Sequence, residues 1–206
     1  LGVALWVYAA YRATGVIVQY HAPIAPALLG SLGALAVVGA LGQRRGLIEP
    51  VTLILVGVVV SLVCGAGILF VQHLLPDRGV ALASRWVMGA LSDDVGLRWI
   101  ALVGALAVGS VALGFRLGPA MDAASMSEDE ARSVGVRLGA LRATLFLLAG
   151  ALTAGSVLLA GPIGFIGLVC PHLARMLGGA AHRPLVVNAA LLGGSAIGLG
   201  DAGVRL

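Results

Sequence analysis

Long runs without charge constrain this chain more than any other feature. Residues 13–43, between Arg12 and Arg44, carry no formal charge over 31 positions, and Ala143 to Pro171 is a second such run of 29. About 20 apolar residues, rising 1.5 Å each in a helix, cross the roughly 30 Å hydrocarbon core of a bilayer. The chain has 206 residues, 60% hydrophobic and 11% charged, whereas a soluble domain carries about 25% charged residues. Too few polar groups remain to cover a water-facing surface. This excludes an ordinary cytosolic globule, a disordered chain and a fibrous repeat. The expected fold class is all-α, a polytopic membrane helical bundle.

Arginines mark the borders of the runs. All 13 basic residues are arginine and lysine is absent, so Schiff-base and P-loop lysine chemistry are excluded. The net charge of +4 does not indicate nucleic acid, because the arginines are scattered between apolar segments as in membrane loops. Tyr20-His21-Ala22-Pro23 breaks the first run into segments of about 1–19 and 24–42. Gln43-Arg44-Arg45-Gly46 reads as a compact basic loop. A third crossing follows at about 50–74, opened by Pro50 at a first-turn position. Ala81 to Leu91 fits a short interfacial helix with Trp86 at headgroup level, and a fourth crossing covers about 96–115. Helices are expected at about 140–160 and 184–200. Gly161-Pro162 interrupts the run between them, because proline removes a helical hydrogen bond. A Gly-rich irregular stretch should follow, with a short helix from near Pro171 carrying His172 and Arg175.

The longest polar stretch, 116–142, contains Asp122, Glu128, Asp129, Glu130, Arg132, Arg137 and Arg142. Ser127 before Glu128-Asp129-Glu130 is a helix start: a cap oxygen for free N–H groups, with acids against the positive dipole end. Gly135 and Gly139 should end or bend that helix. The loop is therefore expected to hold short helices outside the bilayer. Alternating crossings put Arg44, Arg45, this loop and Arg183 on one side, which the arginine bias makes cytoplasmic. Arg12, Arg78, Arg85 and Arg98 fall on the other.

No enzyme constellation is present: neither G-x-S-x-G nor H-E-x-x-H occurs, and no Cys/His spacing suggests a metal. Cys64 and Cys170 read as buried free thiols. Asp201 is either a functional intramembrane acid or a helix-end partner of Arg205 four residues on. His172 reads either as a proton relay or as a cap for the short helix, and Arg175 as structural or headgroup-facing. The Gly161, Gly164, Gly167 spacing lacks the strand and lysine of a phosphate loop, and close backbone packing accounts for it better.

Ala131-Arg132-Ser133-Val134-Gly135-Val136, about 25 apolar residues, and then AGPIGFIGLVCPHLARMLGG form a specific pattern. It resembles the FecCD-type permease family, the membrane subunits of ATP-binding-cassette importers for iron–siderophores, haem and vitamin B12. The hallmark G-P-I-G-F-V-G-L-hydrophobic-hydrophobic-P-H-x-x-R is nearly complete in Gly161, Pro162, Gly164, Phe165, Gly167, Pro171, His172 and Arg175, with Ile166 and Cys170 as mild variants. His182-Arg183 matches the loop after it, and Asp201 with Arg205 matches D-x-x-x-R. Leu55-Val56-Gly57 fits L-x-G, and Arg85 to Leu91 fits W-x-x-G-S-L with Ala90 in place of Ser. The order is right over nearly the whole chain.

The resemblance implies a type II importer permease of about ten crossings of roughly 20 residues each. Here six full or partial crossings and one broken segment are present, a partial permease domain over 1–206. The first two helices, with their N-P-L-A motif, and the last helix are expected to lie outside it. It further implies a cytoplasmic coupling loop at 116–139, in which Ser127, Glu128, Asp129, Glu130, Ala131, Arg132 and Gly135 meet an ATPase subunit. Ala131 and Gly135 would permit close approach. The broken segment spans 161–178. Pro50, Val51 and Thr52 would border a pathway gate, and Arg85 would meet a periplasmic or lipoprotein substrate-binding protein. A second permease copy would complete the pathway in the inner (cytoplasmic) membrane. No cofactor is implied in this chain, ATP–Mg belonging to the partner, and no nucleic acid. An ion-coupled secondary carrier is the alternative reading, and an intramembrane enzyme a further one.

Overall fold

The computed structural model describes residues 1–14, 24–44, 47–76, 79–81, 84 and 96–205. Among them the chain is almost wholly helical, as the charge-free runs predict. The helices are α1 (Gly2–Thr14), α2 (Ile24–Leu41), α3 (Pro50–His73), α4 (Leu97–Ala124), α5 (Glu128–Ser133), α6 (Leu138–Ala160), α7 (Ile166–Gly178) and α8 (His182–Arg205). Two-residue strands β1 (Gln43–Arg44) and β2 (Leu47–Ile48) pair antiparallel, Gln43 opposite Ile48. Gln43 and Arg44 of the expected basic loop thus lie in a minimal strand pair, and α2 and α3 pack as neighbours. The interfacial helix expected at 81–91, with Trp86, falls mostly outside the described residues.

Among the described residues, four helices are long and apolar enough to cross a membrane: Pro50–His73, Leu97–Ala124, Leu138–Ala160 and His182–Gly203. Helix α3 shows why these helices need lipid or protein around them. Nine of its large apolar side chains are exposed: Val51, Ile54, Leu55, Val58, Val59, Leu62, Val63, Leu69 and Phe70. Each such side chain is worth roughly 1.5–3 kcal/mol when removed from water. Left in water, nine would outweigh the 5–15 kcal/mol net stability of an ordinary domain. In a bilayer the same exposure is favourable.

The chain divides into two compact units. In the first, residues 1–100 with 149–162, α1 packs on α2 and α3. Ala4, Val7, Val71 and Leu75 form its core, flanked by Trp6, Tyr8, Tyr11, Ile68 and Val80. Small residues let backbones approach: a Cβ on Gly30 would lie 3.1 Å from the Gly2 Cα. The second unit comprises residues 101–148 and 163–206, with α7 packed against α8.

Two boundaries differ from the sequence expectation. The polar stretch was expected to leave the helix at residue 116, but α4 runs on to Ala124 with Pro119 inside it. Proline leaves the carbonyl four residues back without a helical donor. Here that carbonyl belongs to Phe115, and the Arg183 Nε–H donates to it at 3.3 Å. A side chain of α8 thus replaces the missing amide, and the helix continues. The second difference concerns α7, which begins at Ile166 rather than near Pro171. The Leu168 and Val169 amides both donate to the Phe165 carbonyl at 2.9 Å, closing the first turn before Pro171 removes one bond.

Candidate functional site

Between α4 and α6 the chain leaves the long helices only over residues 125–137, and α5 sits at the centre of that segment. Its six residues are too few to be stable by propensity alone. Both ends are closed by specific bonds. At the start, Ser127 is extended (φ −152°, ψ 160°) and its Oγ accepts from the Glu130 amide at 3.1 Å. The same hydroxyl donates to Glu130 Oε2 at 2.8 Å, so Ser127 and Glu130 lock each other, with the carboxylate taking the hydroxyl rather than the N-cap amide of a standard capping box. At the end, Gly135 has φ +84°. Its amide donates to the Arg132 carbonyl at 3.0 Å, and the Val136 amide to the Ala131 carbonyl at 2.9 Å. These are the two bonds of a Schellman motif, whose left-handed position favours glycine. Gly139, by contrast, is incorporated into α6 rather than ending a helix.

Charge fixes how α5 sits. Glu128 pairs with Arg132 one turn on, at 3.3 Å, and with Arg142 of α6 at 2.7 Å. The second contact spans 14 residues and ties α5 to the following long helix. The Arg142 hydrogen bond, then the charges of Arg142 and Arg132, hold the Glu128 carboxyl below the usual carboxylate range. Asp129 projects fully, its side chain 99% exposed. Glu130, Arg132 and Ser133 are also exposed, flanked by exposed Met126 and Val134. Ala131 departs from expectation. It was assigned to the partner-facing surface, yet its exposure is 0%. The face of α5 opposite the acids turns into its own chain, and alanine is the residue small enough for that position.

The base of this segment is closed against α8. Asp122 Oδ1 accepts from the His182 amide at 2.9 Å and lies 2.6 Å from His182 Nδ1. Gly118 lies one turn earlier on α4, where a Cβ would sit 3.2 Å from the Arg183 backbone nitrogen. The Arg183 guanidinium lies 5.3 Å from the centre of the Phe115 ring.

The hallmark segment has a different internal logic from the one expected. Gly161 is buried with φ +71°, and Phe165 enters α7 with φ +66° while 81% exposed. Gly161 answers a backbone requirement. A Cβ on Gly164 or Gly167 would meet nothing within 4 Å, so close packing within the chain does not account for those two glycines. Pro162 and Gly164 lie in the non-helical link, with Gly167 and Pro171 inside α7. His172 and Arg175 are exposed on α7, and neither side chain has a hydrogen-bond partner among the described residues. Capping by His172 is therefore not seen among those residues.

At the other candidate region, Pro50 opens α3, Val51 is exposed, and Thr52 Oγ1 donates to Glu49 Oε2 at 2.6 Å. Asp201 is half-buried near the end of α8. Cys170 is buried as expected, whereas Cys64 is only half-buried in this chain because α3 exposes most of its surface. Arg85 lies outside the described residues. No group of three or more His, Cys, Asp or Glu among the described residues is placed to hold a metal ion. The structure thus brings Ser127 to Gly135 into one capped, charged knob. Sequence reading missed its anchors Arg142, Asp122 and His182, because contacts across 14 and 60 positions leave no local pattern.

The sequence matches the FecCD transport family over residues 1–206. The chain belongs to that family. Among FecCD relatives, it is 33% identical over 169 residues to the hemin transport system permease protein HmuU of Yersinia pestis, covering 81% of this chain and 49% of that protein. It is 34% identical over 206 residues to the cobalamin import system permease protein BtuC of Halobacterium salinarum, covering 99% and 54%. The chain therefore spans about half the length of the curated relatives it matches. A solved structure, described as a metal-chelate type ABC transporter in an inward-facing conformation, shares the fold. Its TM-score is 0.81 at 25% identity, over 99% of this chain and 63% of that one.

Proposed function

We propose that this chain is part of the membrane-spanning permease subunit of an ATP-binding-cassette importer. Its cargo class is haem, cobalamin or iron–siderophore, taken into the cytoplasm across the inner membrane. A separate ATPase subunit hydrolyses ATP–Mg and grips the segment around α5. The observation that carries this reading is α5 itself. A helix capped at both ends and braced by Glu128 to Arg142 presents Asp129, Glu130 and Arg132 outward between two membrane-length helices. A soluble partner can hold such a knob rigidly, and its exposed charges set register more than raw affinity. Met126 and Val134 supply apolar contact beside them. Family membership supports the same assignment, as do relatives named for hemin and cobalamin transport.

Within this reading, a second permease copy completes the pathway and a substrate-binding protein docks outside, where Arg85 is its contact. Pro50, Val51 and Thr52 border the gate, and the motif residues of the 161–178 segment and Asp201 have structural roles. Nucleotide-driven closure moves α5 and tilts the long helices as a rigid-body switch.

The test is copurification of the full-length gene product with its cognate ATPase, followed by ATP-dependent uptake of haemin, cyanocobalamin and ferric siderophores into proteoliposomes. Glu130→Arg or Arg132→Glu should weaken ATPase association and uptake together. Unaltered association and uptake in both variants would remove the coupling assignment. Uptake that survives ATP depletion but collapses with the proton gradient would replace the importer with an ion-coupled carrier.

A further inference from the structure

Helix α8 begins without a local cap. The position before His182 is Ala181, whose side chain offers no acceptor. The first-turn amide is satisfied instead by Asp122, 60 residues away on α4, which also takes the His182 ring nitrogen at 2.6 Å. One turn further back, α4 itself depends on α8. Pro119 cannot donate to the Phe115 carbonyl, and Arg183 Nε supplies that bond. Phe115, Gly118 and Asp122 recur at spacings of three and four, which places them on one helical face. Each end therefore completes the other: α8 lacks its cap without α4, and α4 lacks a donor without α8.

The position of this contact gives it a consequence. Ser125 Oγ donates to the Asp122 carbonyl at 2.7 Å, and Ser127, two residues on, caps α5. A displacement of α5 reaches Asp122 through a connection of only a few residues. On the other side, His182 starts the helix against which α7 packs, and α7 carries most of the hallmark segment. We infer that Asp122 and His182, with Arg183, form a clasp that transmits movement of the α5 knob to the α7–α8 pair. Asp122 and His182 are positioning residues in this assignment, since they act through the helices they join. The inference rests on the proposed grip of an ATPase on α5, and it assigns the route inward from that grip.

Distances between spin labels test it in the full-length gene product, purified with its ATPase after replacement of Cys64 and Cys170. Labels at Ser133→Cys on α5 and Met176→Cys on α7 use two exposed positions. In the parent protein the interlabel distance should be a single narrow distribution, unchanged when ATP–Mg and vanadate trap the closed state. Asp122→Ala should broaden it and make it shift on trapping. Asp122→Asn keeps an acceptor for the His182 amide and should restore the narrow distribution. His182→Ala keeps the amide bond, loses the ring contact, and should fall between. A loss of folding alone would not produce rescue by the amide together with a nucleotide-dependent shift in the alanine variant. If Asp122→Ala stays as narrow and as nucleotide-insensitive as the parent, the clasp is refuted. If no ATPase copurifies with the parent, the proposed grip fails, while widths measured without nucleotide still decide whether Asp122 joins the helices.

Discussion

The glycines of α4 form a graded series from which the closeness of α4 and α8 can be measured. A methyl group added at Gly104 or Gly109 would meet nothing within 4 Å. At Gly114 it would lie 3.2 Å from Val186 Cγ1, and at Gly118 it would lie 2.5 Å from Arg183 Cγ and 3.2 Å from the Arg183 backbone nitrogen. Carbon atoms rest at about 3.5–4.0 Å. Arg183 must therefore retreat by about 1 Å to accept alanine at position 118, and the nearby backbone nitrogen prevents a simple swing of the side chain. Glycine to alanine inside a helix gains roughly 0.5–1 kcal/mol, and that gain is common to all four positions. Overpacking costs typically 1–3 kcal/mol, and it applies fully only at 118. Gly109→Ala should thus stabilise the protein slightly, whereas Gly118→Ala should fall about 1–3 kcal/mol below it, with Gly114→Ala between. Reversible unfolding by SDS in mixed micelles of the full-length gene product measures the order. Gly118→Ala matching or exceeding Gly109→Ala in stability would show that α4 and α8 do not meet as described.

Two further outcomes follow from the same geometry. Glu128 has its carboxyl held below the reference value of 4.5 by the Arg142 hydrogen bond, so its contribution is full above that value and is lost as pH falls through the lowered one. Amide-exchange protection of residues 128–133, extrapolated across acidic pH, should decline in that window, and Glu128→Gln should abolish most of the decline; an unchanged profile in the variant would assign the decline to other groups. Gly161→Ala forces a Cβ onto a backbone at φ +71° and should cost about 1–2 kcal/mol in SDS unfolding, while Gly164→Ala, with open space around it, should cost nothing measurable. Equal effects at the two positions would overturn the conformational account of Gly161.

Much of the fold was legible because lipid imposes a simple rule: backbone polar groups must be paired inside the segment, so a long uncharged run becomes a helix. The runs opening at Pro50 and ending at Ala160 are helices with the expected limits to within a few residues. The start of α5 was legible for a similar reason, since the Ser127 hydroxyl accepts from an amide only three residues away and the acids after it lie in the helix's own first turn. Both misplaced boundaries lie beside a proline that the fold takes into a helix. The return of charge at Arg116 suggests the end of the fourth crossing and Pro171 suggests the start of the short helix, yet Pro119 and Pro171 are both internal; a proline breaks a helix only when nothing replaces the bond it removes or when the adjoining turns cannot hold without it. Whether something does is settled elsewhere in the chain.

Sequence alone determined that this is a helical membrane chain, which family it resembles, and where a charged, capped helix leaves the apolar runs. These properties depend on composition and on interactions within one or two turns. Tertiary structure decided that Ala131 faces inward, that Glu128 reaches Arg142, and that Asp122 and Arg183 complete each other's helices. Such contacts join atoms distant along the chain, and only the packed helices bring their hydrogen-bond donors and acceptors within reach.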